Sequence, residues 1–178
     1  MIITLIGMMG SGKSSAAREI AAKLDWDWID TDEVIIERER KEIESIFAEE
    51  GERYFRRIEK QIISEIYRTQ KDMVVATGGG AVIAPENRRI FLARSEVFWL
   101  SAPVEVLLER TAGSDRPLLA VADKKKKLNN LLEERKKYYK IGCKIDTGDL
   151  NSTEVADRII EILNLTRKDG NNEKDCSY

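Results

Sequence analysis

The chain opens on an apolar, largely β-branched run, residues 1–6 (MIITLI), too short for an independent helix and composed like a buried strand. Residues 15–24 place apolar positions at helical spacing among good helix formers, and 25–30 alternate toward a second strand. A helix is expected over 33–38 with Thr31 and Asp32 capping it, then a short charged one over 41–50 stopped at Gly51. Over 53–69, Phe55, Ile58, Ile62 and Ile66 form one apolar stripe, with Arg56 on its shoulder. The continuous apolar run 73–77 suits a central parallel strand buried on both faces, and a helix over 86–93 follows Pro85. Residues 96–101 (EVFWLS) predict another strand, and Pro103 starts a helix that Gly113 ends. The pattern over 124–139 is amphipathic, but Arg135 takes a place where the period asks for an apolar residue. A short edge strand over 145–147 and a helix over 153–165, capped by Ser152, come last, and the polar segment 166–178 is expected to be disordered.

Strands alternating with helices predict an α/β fold: one domain over 1–165, three layers deep, with a parallel sheet and right-handed crossovers. At 178 residues the chain is long enough for one core, and 42% apolar with 35% charged residues describes a soluble protein. No apolar run approaches the roughly 20 residues of a membrane span, and the short apolar start lacks a basic leader, so the expected location is cytoplasmic. Thirty basic against 32 acidic residues leave a net charge of −2 with no strongly basic half, which gives no reason to expect nucleic acid as a partner. Histidine is absent, which excludes imidazole catalysis and leaves a carboxylate or a lysine for any proton transfer. Cys143 and Cys176 match no metal-ligand spacing and are expected as free thiols.

One stretch carries chemistry without ambiguity of type. Residues 7–14 (GMMGSGKS) satisfy the G-x-x-x-x-G-K-[ST] phosphate-loop pattern, and they stand between a predicted strand and a predicted helix, the setting the pattern requires. The glycines let successive N–H groups turn inward, and the helix that follows adds its positive N-terminal end. Gly10, Ser11, Gly12, Lys13, Ser14 and Ser15 are therefore the candidate nucleotide-phosphate residues, with Lys13 toward the β- and γ-phosphates and the Ser14 hydroxyl toward Mg²⁺.

A second group of residues falls at predicted strand ends or cleft-facing helices. Asp30 and Asp32 close the second strand, Gly78, Gly79 and Gly80 close the third, Arg56 lies on the shoulder of its helix's apolar stripe, and Arg135 interrupts another. Residues 113–119 combine turn formers with Arg116 and read as a flap over the phosphates. Carboxylate, guanidinium forks and bare backbone together suit a small polyhydroxylated acid.

With these motifs in view the sequence resembles the shikimate kinase family. The matching stretches are GMMGSGKS at 7–14, DTD at 30–32, GERYFRRIE at 51–59, ATGGGAV at 76–82, RPLL at 116–119 and the helix carrying Arg135, which together span nearly the whole chain. The resemblance implies a nucleoside monophosphate kinase-like P-loop fold with a five-stranded parallel sheet and a lid. It implies ATP-dependent phosphorylation of the shikimate 3-hydroxyl, a step toward the aromatic amino acids, by a monomer that uses Mg²⁺. By the same likeness Asp32, Arg56, Gly79, Gly80 and Arg135 hold shikimate, Lys13 and Arg116 touch the phosphates, Arg110 flanks the adenine, and Ser14 and, through water, Asp30 hold Mg²⁺. Asp32 orients the attacking hydroxyl. One departure is plain: the family pattern carries proline and a single tyrosine after the last arginine, where this chain reads Arg135-Lys136-Lys137-Tyr138-Tyr139. The residues leave two alternatives open, another small-molecule kinase acting on gluconate or a nucleotide, and a nucleotide-binding regulatory domain without catalysis.

Overall fold

In the computed structural model, residues 1–112 and 123–169 are described. Five parallel strands, β1 (Ile2–Ile6), β2 (Asp27–Asp30), β3 (Met73–Ala76), β4 (Glu96–Ser101) and β5 (Cys143–Asp146), form one sheet in the order β2-β3-β1-β4-β5. Strand residues alternate between the two faces, as the twofold period of a strand demands. Ile3, Leu5, Val74, Phe98 and Leu100 enter one core with Ala17 and Ile20 of α1 (Lys13–Leu24) and Val155 and Ile159 of α8 (Ser152–Asp169). Ile2, Ile6, Val75, Val97 and Trp99 enter the other, beneath α4 (Gly51–Ile66), α5 (Pro85–Arg94), α6 (Val104–Arg110) and α7 (Lys124–Tyr139). Burial on both faces explains why β3 reads as an unbroken apolar run and β1 as one interrupted only by Thr4.

A smaller third core lies to one side. Ile35 of α2 (Thr31–Glu39), Ile46 of α3 (Ile43–Glu49) and Phe55, Ile58 and Ile62 of α4 pack on one another there rather than on the sheet. Phe47 and Phe55 meet with ring centroids 4.7 Å apart, and this lobe walls the site described below.

Four expectations need correction. Asp30, not Asp32 or Thr31, caps α2: its carboxylate accepts the Asp32 N–H at 2.9 Å, because the helix begins earlier than its apolar pattern indicated. Asn151 rather than Ser152 caps α8, accepting from the Thr153 and Glu154 N–H groups while Glu154 accepts from the Asn151 N–H in return. The same helix continues to Asp169, beyond the predicted end at 165. Cys143 is half of a disulfide rather than a free thiol, and Cys176 lies outside the described residues. No helix among the described residues is long and apolar enough to cross a membrane.

Candidate active site

Two cavities open where the strands end, and the predicted site residues sort themselves between them. The first, of about 410 Å³, is lined by Gly10, Ser11, Gly12, Lys13, Ser14, Ser15 and Arg110, together with the β5–α8 connection at Thr147, Leu150 and Asn151. The turn after β1 needs glycine in fact: a side chain at Gly7 would meet the Leu100 carbonyl at 2.3 Å, and Gly12 enters α1 with φ +89°. Gly12 caps that helix without any side-chain acceptor, so its leading amides face the cavity side with their donors uncapped.

Lys13 is buried, its ammonium donating to the Met8 carbonyl at 2.8 Å, and the Ser11 hydroxyl is buried with no hydrogen-bond partner among the described residues. The Ser14 hydroxyl donates to Asp30 Oδ2 at 2.5 Å. A hydroxyl and a carboxylate so close, both hard oxygen donors, fit a Mg²⁺ ion that takes its remaining ligands from phosphate and water. No cluster of three or more Cys, Asp or Glu residues suited to a metal exists among the described residues, so this pair would supply only part of such a shell. Arg110 donates to the carbonyls of Thr147 (2.9 Å), Gly148 (3.3 Å) and Leu150 (3.4 Å), bracing the far wall of the cavity.

The second cavity, of about 300 Å³, gathers Asp32, Arg56, Gly78, Gly79, Gly80 and Arg135 from four separate parts of the chain, and adds Met9, Phe47, Phe55 and Glu59. A Cβ on Gly78 would stand 2.5 Å from Asp32 Oδ1, and one on Gly80 would stand 2.3 Å from Arg56 Nη2. The space left by the glycines, expected to admit a ligand, thus seats the site's own carboxylate and guanidinium against the main chain. Arg56 both lines the cavity and forms ion pairs: Nη1 donates to the two Glu59 oxygens at 2.9 and 3.1 Å, and Nη2 to Glu52 at 3.2 Å.

No role was expected for Glu59, yet it is 1% exposed. The signal was present in the chain, since 55, 58, 59 and 62 follow the i, i+3, i+4, i+7 spacing of a buried stripe. Burial raises its pKa to about 7; Arg56 pulls it down, Asp32 pushes it up and Arg135 draws it down again. Burial works against the charge of Arg56, but the neighbouring Glu59 and Glu52 carboxylates outweigh it and hold the guanidinium pKa above its ordinary value.

Arg135 is 3% exposed, and its Nε and Nη1 find no hydrogen-bond acceptor among the described residues. A buried guanidinium with unused donors is costly unless an anion completes it. The helix that carries it is not shortened by the unusual Lys136-Lys137-Tyr138-Tyr139 ending. Tyr139 is fully buried, stacks on Trp99 at 5.8 Å and donates its hydroxyl to the Gly79 carbonyl at 2.5 Å.

The phosphate loop is the partition between the cavities. Met9 borders the second and Gly10 to Ser15 border the first, while Asp30 accepts from Ser14 on one side and from the Asp32 N–H on the other. Arg116 and the predicted flap at 113–119 lie outside the described residues.

The family model described as shikimate kinase matches residues 9–164. The chain belongs to the shikimate kinase family. A shikimate kinase of Francisella tularensis subsp. holarctica is 42% identical over 139 residues, covering 78% of this chain and 79% of that protein. A bifunctional shikimate kinase/3-dehydroquinate synthase of Thermotoga maritima is also 42% identical, over 90% of this chain, but the match spans only 32% of that longer protein. Among solved structures, a shikimate kinase from Acinetobacter baumannii in complex with shikimate superposes with a TM-score of 0.89 at 35% identity, covering 94% of each chain. The shikimate kinase of Aquifex aeolicus gives 0.79 at 32% identity over 94% of this chain and 99% of that one. The five-stranded parallel sheet is thus the P-loop kinase fold of this family, and Glu59, which the sequence did not single out, lines the second cavity.

Proposed function

We propose that this chain is a shikimate kinase that transfers the γ-phosphate of ATP to the 3-hydroxyl of shikimate, giving shikimate 3-phosphate and ADP. The observation that carries the reading is the pairing of a phosphate-loop cavity with a second cavity holding Asp32, Arg56 and a buried Arg135 with unused donors, on either side of one loop. Two guanidinium groups give the bidentate geometry a carboxylate prefers, and their placement opposite Asp32 fits a ring bearing an acid at one end and hydroxyls at the other. The solved relative of highest TM-score cited above was crystallised with shikimate, which supports the same acceptor here.

In this reading Gly10 to Ser15 cradle the phosphates, Lys13 neutralises charge on them, and Arg110 borders the base. Asp32 orients the attacking hydroxyl in line with the phosphorus and takes up its proton late, because a loose transition state asks more for alignment than for a strong base. Ser14 and Asp30 would hold Mg²⁺, which when bound would offset charge along the phosphate chain. Arg56, held by Glu59 and Glu52, and Arg135 bind the acid; Gly78 and Gly80 let Asp32 and Arg56 lie flat against the backbone. The chain would act as a cytoplasmic monomer with ATP and shikimate as its partners. ADP release measured with shikimate, gluconate and nucleoside monophosphates offered separately decides the matter: stimulation by shikimate alone is expected, and none above background hydrolysis would refute the proposal.

A further inference from the structure

The floor of the second cavity is held from two helices at once. The backbone leaves the triple glycine through a 3-10 turn (Ala81–Ile83), and each carbonyl along the way has a designated donor. Tyr139 of α7 donates to Gly79, Asn87 of α5 to Ala81 at 3.0 Å, and Arg88 of α5 through Nη1 to Val82 at 2.6 Å and Ile83 at 2.8 Å. Arg88 does not stop there. Its guanidinium carbon lies 4.6 Å from the centroid of the Tyr138 ring, on α7, so one side chain grips the glycine floor by its carbonyls and α7 by an aromatic face.

That bridge connects the parts of the cavity that must agree. Arg135 stands three residues before Tyr138 on the same helix, one turn away, and the floor seats Asp32 at Gly78 and Arg56 at Gly80. Neither Arg88 nor Tyr138 lines the cavity. A planar guanidinium can bond carbonyls through its edge while its face covers a ring, which an ammonium cannot do. Lys137 also approaches the Tyr138 ring, at 4.9 Å, whereas it is Arg88 that bonds the Val82 and Ile83 carbonyls of the floor. A leucine at 138 would fill similar volume with no quadrupole to attract the cation.

We propose that Arg88 and Tyr138 are positioning residues for the acceptor: their stack fixes α7 against the 79–83 backbone and so sets the span between Arg135 and the Asp32–Arg56 pair. The unusual ending of α7 is then the partner surface for Arg88, not a defect in the helix. The inference rests on the second cavity being the shikimate site.

The test is steady-state kinetics on the full chain with Tyr138→Leu, Tyr138→Phe, Arg88→Met and the Tyr138→Leu/Arg88→Met pair, alongside thermal melts. A cation–π contact of ordinary strength predicts KM for shikimate raised about three- to tenfold in Tyr138→Leu and Arg88→Met, with KM for ATP unchanged within about twofold. Tyr138→Phe keeps the ring and should behave as the parent. The double variant should be no worse than the worse single, as expected for two residues acting through one contact. Lower melting temperatures with both KM values unmoved, equal shifts for the two substrates, or Tyr138→Phe as impaired as Tyr138→Leu would each overturn the proposal. Failure of the underlying acceptor assignment looks different: the parent itself would show no shikimate-stimulated turnover.

Discussion

The two cavities are built by opposite means. The first cavity is built chiefly from consecutive residues, Gly10 to Ser15, and main-chain amides at the start of α1, set by backbone conformation, add to the charges of Lys13 and Arg110. The second cavity is assembled from α2, α4, the loop after β3 and α7, and its character comes from charged and titratable side chains, two of them almost wholly buried. A site of the first kind follows from local sequence. One of the second kind depends on distant elements arriving together, and the small core of Ile35, Ile46, Phe55, Ile58 and Ile62 is what brings α2, α3 and α4 into place.

The contrast predicts that single substitutions on the acceptor side separate the two substrates. The largest effect belongs to Asp32→Asn, which keeps shape and removes charge: kcat should fall by about 10²- to 10⁴-fold with ADP affinity nearly intact, measured by coupled assay and nucleotide titration. Loss of nucleotide binding in step with turnover would erase the distinction. Gly80→Ala should come next. Its φ of −101° suits any residue, but the new methyl displaces the Arg56 guanidinium, whose flexible end can move, so the melting temperature should hold while KM for shikimate rises about tenfold. An unchanged KM would mean that Arg56 does not need that seat.

The smallest effect is a pH dependence confined to the acceptor side. The folded-state pKa of Glu59, about 7, lies above its ordinary 4.5, so the native state holds the extra proton between these values. Stability from this group is therefore present below the unfolded pKa and is lost as pH rises through about 7. Denaturant titrations from pH 5 to 8 should show this decline in the parent, and Glu59→Gln, which cannot ionise, should flatten it. A parent and variant with parallel profiles would contradict the burial argument.

How far the chain disclosed all this follows the same division. The phosphate loop and its strand-loop-helix setting were legible because every part is local, β4 was legible as a short apolar run, and α7 by its helical period on either side of Arg135. Arg135 was visible as a charge interrupting an apolar stripe, though nothing local told what it faced. The triple glycine was visible as an anomaly, but its physical reason, Asp32 and Arg56 resting on it from α2 and α4, depends on tertiary contacts that no window of sequence contains. Glu59 was hidden by the habit of assigning a glutamate near an arginine to solvent. Arg88 gave no signal at all, since its partners are carbonyls and a ring on another helix. Capping residues went astray for a smaller reason: Asp30 and Asn151 each stand one position before the residue that the apolar pattern favoured.

The most direct measurement is calorimetric titration of shikimate and of ADP, separately, into the parent and into Arg56→Ala and Arg135→Ala. Charge-assisted hydrogen bonds to a carboxylate predict that each variant binds shikimate about ten- to a hundredfold more weakly while ADP affinity stays within about twofold. Shikimate affinity unchanged in both variants, or both ligands weakened alike, would contradict the assignment of two substrates to two cavities.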